Sequence, residues 1–390
     1  MKAADPILAL RRRLGPIEVL ALEAPSMVEA HRALGALLKK PALSAIKQRI
    51  ARVAPAPLER QLSSIRDGRV FLERRAARAT TPAAVRAGLI EYLECLTAWG
   101  QAIGLDRCAR PLVAGGQPVS ADELALWAQD DNTGCQTGML RREDGSVLLW
   151  HTEEDTIGYF DRPRIASFAI VGGAPLFAFL YPYLIPGPAF GFSARQVHAV
   201  DSLHVQRANT PAGALTSAAS WLVWRLDGAV DTRAITRALS PFVDGCAINV
   251  ARASGRDVAA ENVEIGGRRA LRRRLHARVG SLVFQANAVS RPQSLLATEE
   301  ALRARERGPY ERRTERTLQA IARLRADRSD PGPQDVLKLM SSRQGGSYAY
   351  ANRDVMAHCV AHIGATGIAL YAQSGPAHPT DVYSPQWRWP

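Results

Sequence analysis

The sequence predicts an α+β protein in which helices layer against largely antiparallel sheets. Three features carry that expectation. Apolar positions recur at helical spacing through the first hundred residues, a strong hairpin pattern follows residue 134, and strand groups then alternate with helices. With 390 residues, 47% of them apolar and 22% charged, the chain is long enough to bury a sizeable core.

Residues 1–134 are expected to form a mostly helical segment. Helical spacing is clearest in Ala33–Leu38 and Val85–Leu93, and Thr80-Thr81-Pro82 places a cap residue before a first-turn proline. Pro55 and Pro57 punctuate the region, and Arg107–Asn132, with Gly115-Gly116 and Pro118, reads as an exposed connector. Residues 135–390 are then expected to form one domain. Cys135–Arg142 and Ser146–His151 flank the turn Glu143-Asp144-Gly145, a hairpin signature. Further strands are predicted at 167–171, 190–205, 246–252, 258–265 and 281–287, with helices at 215–226 and 232–239 between them. A charged helical block at 295–325 precedes two last strands at 355–363 and 367–373. There is no internal repeat.

Several classes are disfavoured. The start of the chain lacks the apolar core and small-residue cleavage site of a secretory signal. The apolar run Phe177–Pro188 is too short for a membrane span and holds Pro182 and Pro186, so no membrane partner is expected. Five scattered cysteines without a CxxC pair argue against a disulfide framework and place the chain in a reducing cytoplasm. No P-loop, G-x-G-x-x-G or G-x-S-x-G occurs, so no cofactor is implied.

The net charge of +13 suggests polyanion binding at first sight. Only five of the basic residues are Lys against 45 Arg, a bias that genome composition can produce. From Glu264 to Ala326, 15 Arg oppose 6 Glu, and this block could favour an anionic ligand or form a solvated face with i,i+4 pairs such as Glu299 with Arg303 and Arg307 with Glu311. Tyr310 is the only aromatic between Phe284 and Tyr348, which disfavours nucleic acid as the partner. The sequence carries no signal for oligomeric state.

The tract richest in chemistry is Asn132-Thr133-Gly134-Cys135-Gln136-Thr137, followed by the hairpin and His151-Thr152-Glu153-Glu154-Asp155. Glycine before a strand-initial cysteine leaves that peptide unrestricted by a Cβ. The thiol could attack the preceding carbonyl, cut the chain, and leave an α-amine of pKa ~7.7–8.0 as base for its own thiol. The plain alternative is a buried structural cysteine after a linker. His358 and His362 fall on a strand face ~13 Å apart at ~3.3 Å per residue, too far to share one ion, and no metal ligand set is expected.

Gly-Cys-x-Thr, a hairpin, and a His/acid cluster 16 to 20 positions on resembles the N-terminal-nucleophile hydrolases of the acyl-CoA:6-aminopenicillanate acyltransferase type, relatives of the choloylglycine and beta-alanyl-amine hydrolases. Downstream, Pro186–Ser193 is similar to a family segment ending Gly-x-Asn. Ser281–Asn287 is similar to the strand that delivers an Asn, and Ser347–Asp354 to a late segment ending in Arg. The likeness runs over residues 120–375.

That resemblance implies a four-layer αββα sandwich in residues 135–390, with 1–134 staying bound after the Gly134–Cys135 bond is cut. It implies an amidohydrolase or acyltransferase acting on a small-molecule linear amide or acyl thioester through an acyl-Cys135 intermediate. Glu154 would hold the α-ammonium or thiol proton, Asn287 would face the oxyanion, and Arg353 would pair with Glu154 or a substrate carboxylate. His151, Thr152 and Ser193 are further candidates for substrate or oxyanion contacts. Thr152 stands where the family has Asn, Glu154 where it has Asp, and Ser193 where it has Asn. A divergent member that binds without turnover, with an anionic ligand as one candidate, is the alternative function.

Overall fold

The computed structural model describes residues 7–14, 17–129, 135–154, 164–187, 189–206, 215–240, 242–267, 269–285, 304–340, 355–374 and 387–389. Among them the chain is α+β, as expected, with a nine-stranded and a six-stranded sheet. Alternation within the predicted hairpin decides how those sheets are used. Strands β5 (Gln136–Arg141) and β6 (Val147–Glu154) pair around the turn, with Thr137 opposite His151 and Met139 opposite Leu149. Successive side chains of a strand point to opposite faces. Met139, Val147 and Leu149 accordingly enter the main core, whereas Leu140, Leu148 and Trp150 enter a smaller second one.

The six-stranded sheet runs β14-β5-β6-β15-β16-β17, with β14 at Leu282–Gln285, β15 at Val355–Gly364, β16 at Gly367–Ser374 and β17 at Trp387–Trp389. Its outer face takes helices α8 (Ala304–Asp327) and α9 (Pro333–Met340), whose Ile321, Val336, Leu337 and Met340 pack with Trp150 and Phe284. The nine-stranded sheet runs β1-β2-β7-β8-β9-β10-β11-β12-β13. It comprises β1 (Ile7–Leu14), β2 (Ile17–Ala24), β7 (Arg164–Ile170), β8 (Leu176–Leu180), β9 (Phe190–Ser193), β10 (Gln196–Gln206), β11 (Phe242–Ser254), β12 (Asp257–Gly267) and β13 (Arg269–Arg274). β10, β11 and β12 meet β5, β6 and β15, so the two sheets face each other.

Helices cover the far side of the larger sheet. α1 (Met27–Arg52) lies on β2 and β7, α6 (Leu215–Leu226) on β9–β11, and α7 (Thr232–Leu239) on β12 and β13. α3 (Ala83–Ile103) packs on α1 and α6, and α2 (Pro55–Ala77) on α3. Tyr92, Trp99, Trp221 and Trp224 are fully buried in this layer, each removing ~150–250 Å² from water.

Three expectations are corrected. Residues 1–134 are mostly helical but also supply β1 and β2, and β2 pairs in parallel with β7 from beyond residue 134. The stretch 107–132 is not simply an exposed connector. After the short α4 (Asp106–Ala109) and the β3–β4 turn (Val113–Ala114, Gln117–Pro118), α5 (Ala121–Ala128) starts on a Ser120–Glu123 capping box, and Leu124–Ala128 are buried. Arg66 pairs with Glu123 at 2.5 Å and fixes that helix start to α2. The predicted strand 190–205 is two strands, because Ser193 Oγ accepts from the backbone N–H groups of Arg195 and Gln196 and turns the chain between them. Strands β8, β13 and β17 and helix α9 were not predicted as separate elements.

Gly138 and Trp150 are opposite one another, and a Cβ on Gly138 would sit 2.2 Å from the indole. Gly138→Ala should therefore lower stability by about 1–3 kcal/mol, read as a fall in the urea midpoint with an unchanged slope.

Candidate active site

The hairpin register assembles the site. Gln136 pairs with Thr152 and Thr137 with His151, so Cys135, Thr137, His151 and Glu153 share the face directed at the other sheet. Cys135 Sγ lies 3.7 Å from Glu153 Oε2. His151 Nε2 is 3.0 Å from Glu153 Oε1, an ion-pair distance, though the approach is too oblique for a hydrogen bond. Tyr181 Oη, just past the end of β8, donates to Glu153 Oε2. Glu153 is thus a fully buried carboxylate shared by a thiol, an imidazole and a phenol. A buried carboxylate is tolerable only with such donors.

The surroundings hold these groups in place. The His151 ring stacks on Phe190 with centroids 6.1 Å apart. Thr137 Oγ1 donates to the Trp150 carbonyl at 3.0 Å and accepts from Asn249 Nδ2 at 3.0 Å, and Asn262 Nδ2 donates to Asn249 Oδ1 at 2.8 Å. This chain of amides and a hydroxyl crosses from β12 through β11 to β5 and ties the two sheets together next to the site.

Of the residues singled out in the sequence, Cys135 and His151 come together here. Glu154 does not: it lies on the opposite face, where its Oε1 accepts from Gln136 Nε2 at 3.3 Å. Thr152 shares that outer face, with Oγ1 3.0 Å from His358 Nδ1. Ser193 is engaged elsewhere, its Oγ donating to Asp227 Oδ1 at 2.5 Å. Gly134, Asn287 and Arg353 lie outside the described residues. Gln285, two residues before Asn287, pairs with Thr137, two residues after Cys135, and Val355, two residues after Arg353, pairs with Glu154. The Glu299–Arg303 pair and the side chains of Arg307 and Glu311 are also outside the described residues. In the Arg-rich block, Arg272 pairs with Glu261 and with Asp231, the latter at 3.2 Å.

Sequence reasoning missed Glu153 and Tyr181. Glu153 was legible: a three-residue turn at 143–145 pairs 142 with 146 and hence 135 with 153. Tyr181 had no local signal, since only the packing of the two sheets brings it to the site. Cys135, His151 and Glu153 also form the one potential metal-ligand cluster among the described residues, with ligand atoms all within 4.8 Å of one another.

The chain matches no protein-family model, and no curated protein matches its sequence.

Removing the phenol hydroxyl in Tyr181→Phe should cost about 1–3 kcal/mol, because Glu153 loses a charge-assisted donor. In a Glu153→Gln background the same change should cost measurably less, and a double-mutant cycle by chemical denaturation reads the difference. A second outcome concerns acid. Burial, opposed by a hydrogen bond to Gly187 O, depresses His198 to about 4, and burial, with His151 nearby, depresses His358 to about 3. Both are neutral in the folded chain at pH values where the unfolded chain takes up a proton, near 6.5. The unfolded state then binds more protons, so stability complete above pH 6.5 is lost progressively toward pH 4. The urea midpoint should fall across that window, with a shallower slope in His358→Gln.

Proposed function

We propose that the chain is a self-processing cysteine hydrolase or acyltransferase of the N-terminal-nucleophile type, with the four-layer αββα sandwich of that class. Its substrate is a linear amide or acyl thioester, and its intermediate is an acyl-Cys135 thioester. The observation that carries the reading is Cys135 at the start of β5, beside a carboxylate buried between two facing sheets. Helices on both outer surfaces support the four-layer arrangement.

In the processing step, Cys135 Sγ adds to the Gly134 carbonyl, the C–N bond breaks, and the released amine of Cys135 takes a proton. Water then hydrolyses the Gly134 thioester to a carboxylate and frees the Cys135 thiol. In turnover, the α-amine accepts the thiol proton as Sγ attacks the substrate carbonyl, and that proton leaves with the amine or thiol product. Water or an acceptor amine then takes the acyl group. Glu153, rather than Glu154, holds the ammonium or thiol proton, because it alone of the two shares a face with Cys135. His151 lies within reach of the same carboxylate and orients it. Asn287 stays in the proposal as oxyanion donor and Arg353 as partner for a substrate carboxylate.

Ala128 and Gln129, the last described residues before the proposed cut, are held by hydrogen bonds from elsewhere in the chain. Arg49 Nη1 donates to the Ala128 carbonyl at 2.7 Å, Ser217 Oγ to the Gln129 carbonyl at 2.8 Å, and Ile185 N to Gln129 Oε1 at 2.9 Å. Ile185 and Tyr181 belong to one short segment, so the same stretch that contacts Glu153 also anchors the end of α5.

Denaturing electrophoresis with mass spectrometry should show fragments 1–134 and 135–390 that co-elute under native conditions, and an activity-based acyl probe should label Cys135. Cys135→Ala should stay one chain and take no label. Fragments produced by that variant would refute the assignment. A wild-type chain that stays intact and resists the probe favours the non-catalytic binding alternative.

A further inference from the structure

We infer that Cys135, His151 and Glu153 bind one zinc-class divalent cation, and that the ion blocks Cys135. The three groups supply a sulfur, a ring nitrogen and a carboxylate oxygen, all within 4.8 Å of one another. Two of the pairs are closer, 3.7 Å from Cys135 Sγ to Glu153 Oε2 and 3.0 Å from His151 Nε2 to Glu153 Oε1. Ligands at Zn–S ≈ 2.3 Å and Zn–N or Zn–O ≈ 2.0–2.2 Å in a tetrahedron stand roughly 3.5 Å apart. Closing the cluster onto an ion thus takes side-chain adjustments of about one ångström.

A second observation points to a ligand. Among the described residues, both ring nitrogens of His151 and Glu153 Oε1 are buried without a hydrogen-bond partner, although Nε2 and Oε1 lie 3.0 Å apart. Buried polar atoms of a folded protein are nearly always satisfied. A cation among them would take a lone pair from each of two such atoms and neutralise the carboxylate. The mixed sulfur, nitrogen and oxygen set selects zinc over magnesium or calcium, which prefer all-oxygen sites. On binding, the S–H bond breaks, a sulfur–zinc bond forms, and the proton leaves to solvent. Three protein ligands leave a fourth position for water. A second buried thiol, Cys359, pairs with His151 across β6 and β15 but is not among the three residues whose ligand atoms converge. The blocking effect rests on the proposed role of Cys135, whereas the binding does not.

The test titrates zinc chloride into the purified full-length chain against a chromophoric chelator, with magnesium chloride in parallel. One zinc and no magnesium should bind per chain. Affinity should fall at least about tenfold in Cys135→Ser, His151→Ala and Glu153→Gln, and stay unchanged in Cys95→Ala, which alters a thiol in α3. In the unaltered chain, zinc should slow iodoacetamide alkylation of Cys135, read by peptide mass spectrometry, a measurement that needs no variant to fold. Absence of stoichiometric zinc uptake, unprotected Cys135, or affinity preserved in both Cys135→Ser and His151→Ala would each overturn the inference. Zinc uptake by a chain that neither processes nor takes an acyl probe would sustain this site while refuting the hydrolase reading. Processing without zinc uptake would do the reverse.

Discussion

The three-residue turn between β5 and β6 is the constraint on which the site depends. Gly145 adopts φ 79°, a left-handed conformation that suits glycine, and Asp144 Oδ1 accepts from Ser146 N at 2.9 Å. Arg142 N then donates to Ser146 O at 2.9 Å, closing the hairpin in one register. A slip of one residue would exchange the two faces of a strand. His151 and Glu153 would turn toward the helices α8 and α9, and Trp150 would enter the space between the sheets. One turn thus decides both which residues make the second core and which reach Cys135.

The cost of that arrangement is borne by polar groups. A carboxylate, an imidazole and a thiol lie between two sheets whose remaining contacts there include Met139, Leu149 and Ala361. Tyr181 and the Asn262–Asn249–Thr137 chain offset part of this by providing donors where water is excluded. The same donors fix the spacing of the sheets. The contacts that hold the sheets together therefore adjoin the candidate site.

Much of this architecture was legible. Apolar periodicity located parts of α1 and α3, and the Asp-Gly turn located the hairpin, because each is a local pattern with one dominant cause. The two strands of the N-terminal hairpin were not legible, since their partner β7 lies more than a hundred residues away and pairing is a tertiary property. Helix α5 was hidden by its brevity and by the Gly115-Gly116 and Pro118 punctuation before it. At the site, Cys135 and His151 followed from the motif, while Glu154 rather than Glu153 followed from the position at which the resembled family carries Asp. Strand parity, applied to the same turn, separates the two adjacent glutamates onto opposite faces.

The outermost strands of the nine-stranded sheet, β1 and β13, are paired on one side only among the described residues. Their sequences contain Arg11-Arg12-Arg13 and Arg272-Arg273-Arg274. A strand with an unpaired side is a template onto which another copy can add by backbone hydrogen bonding. Arginine is a residue type that natural edge strands use against edge-to-edge pairing, because like charges oppose the approach of a second copy. Arginine placed in edge segments is thus one physical source of basic excess that needs no polyanionic partner.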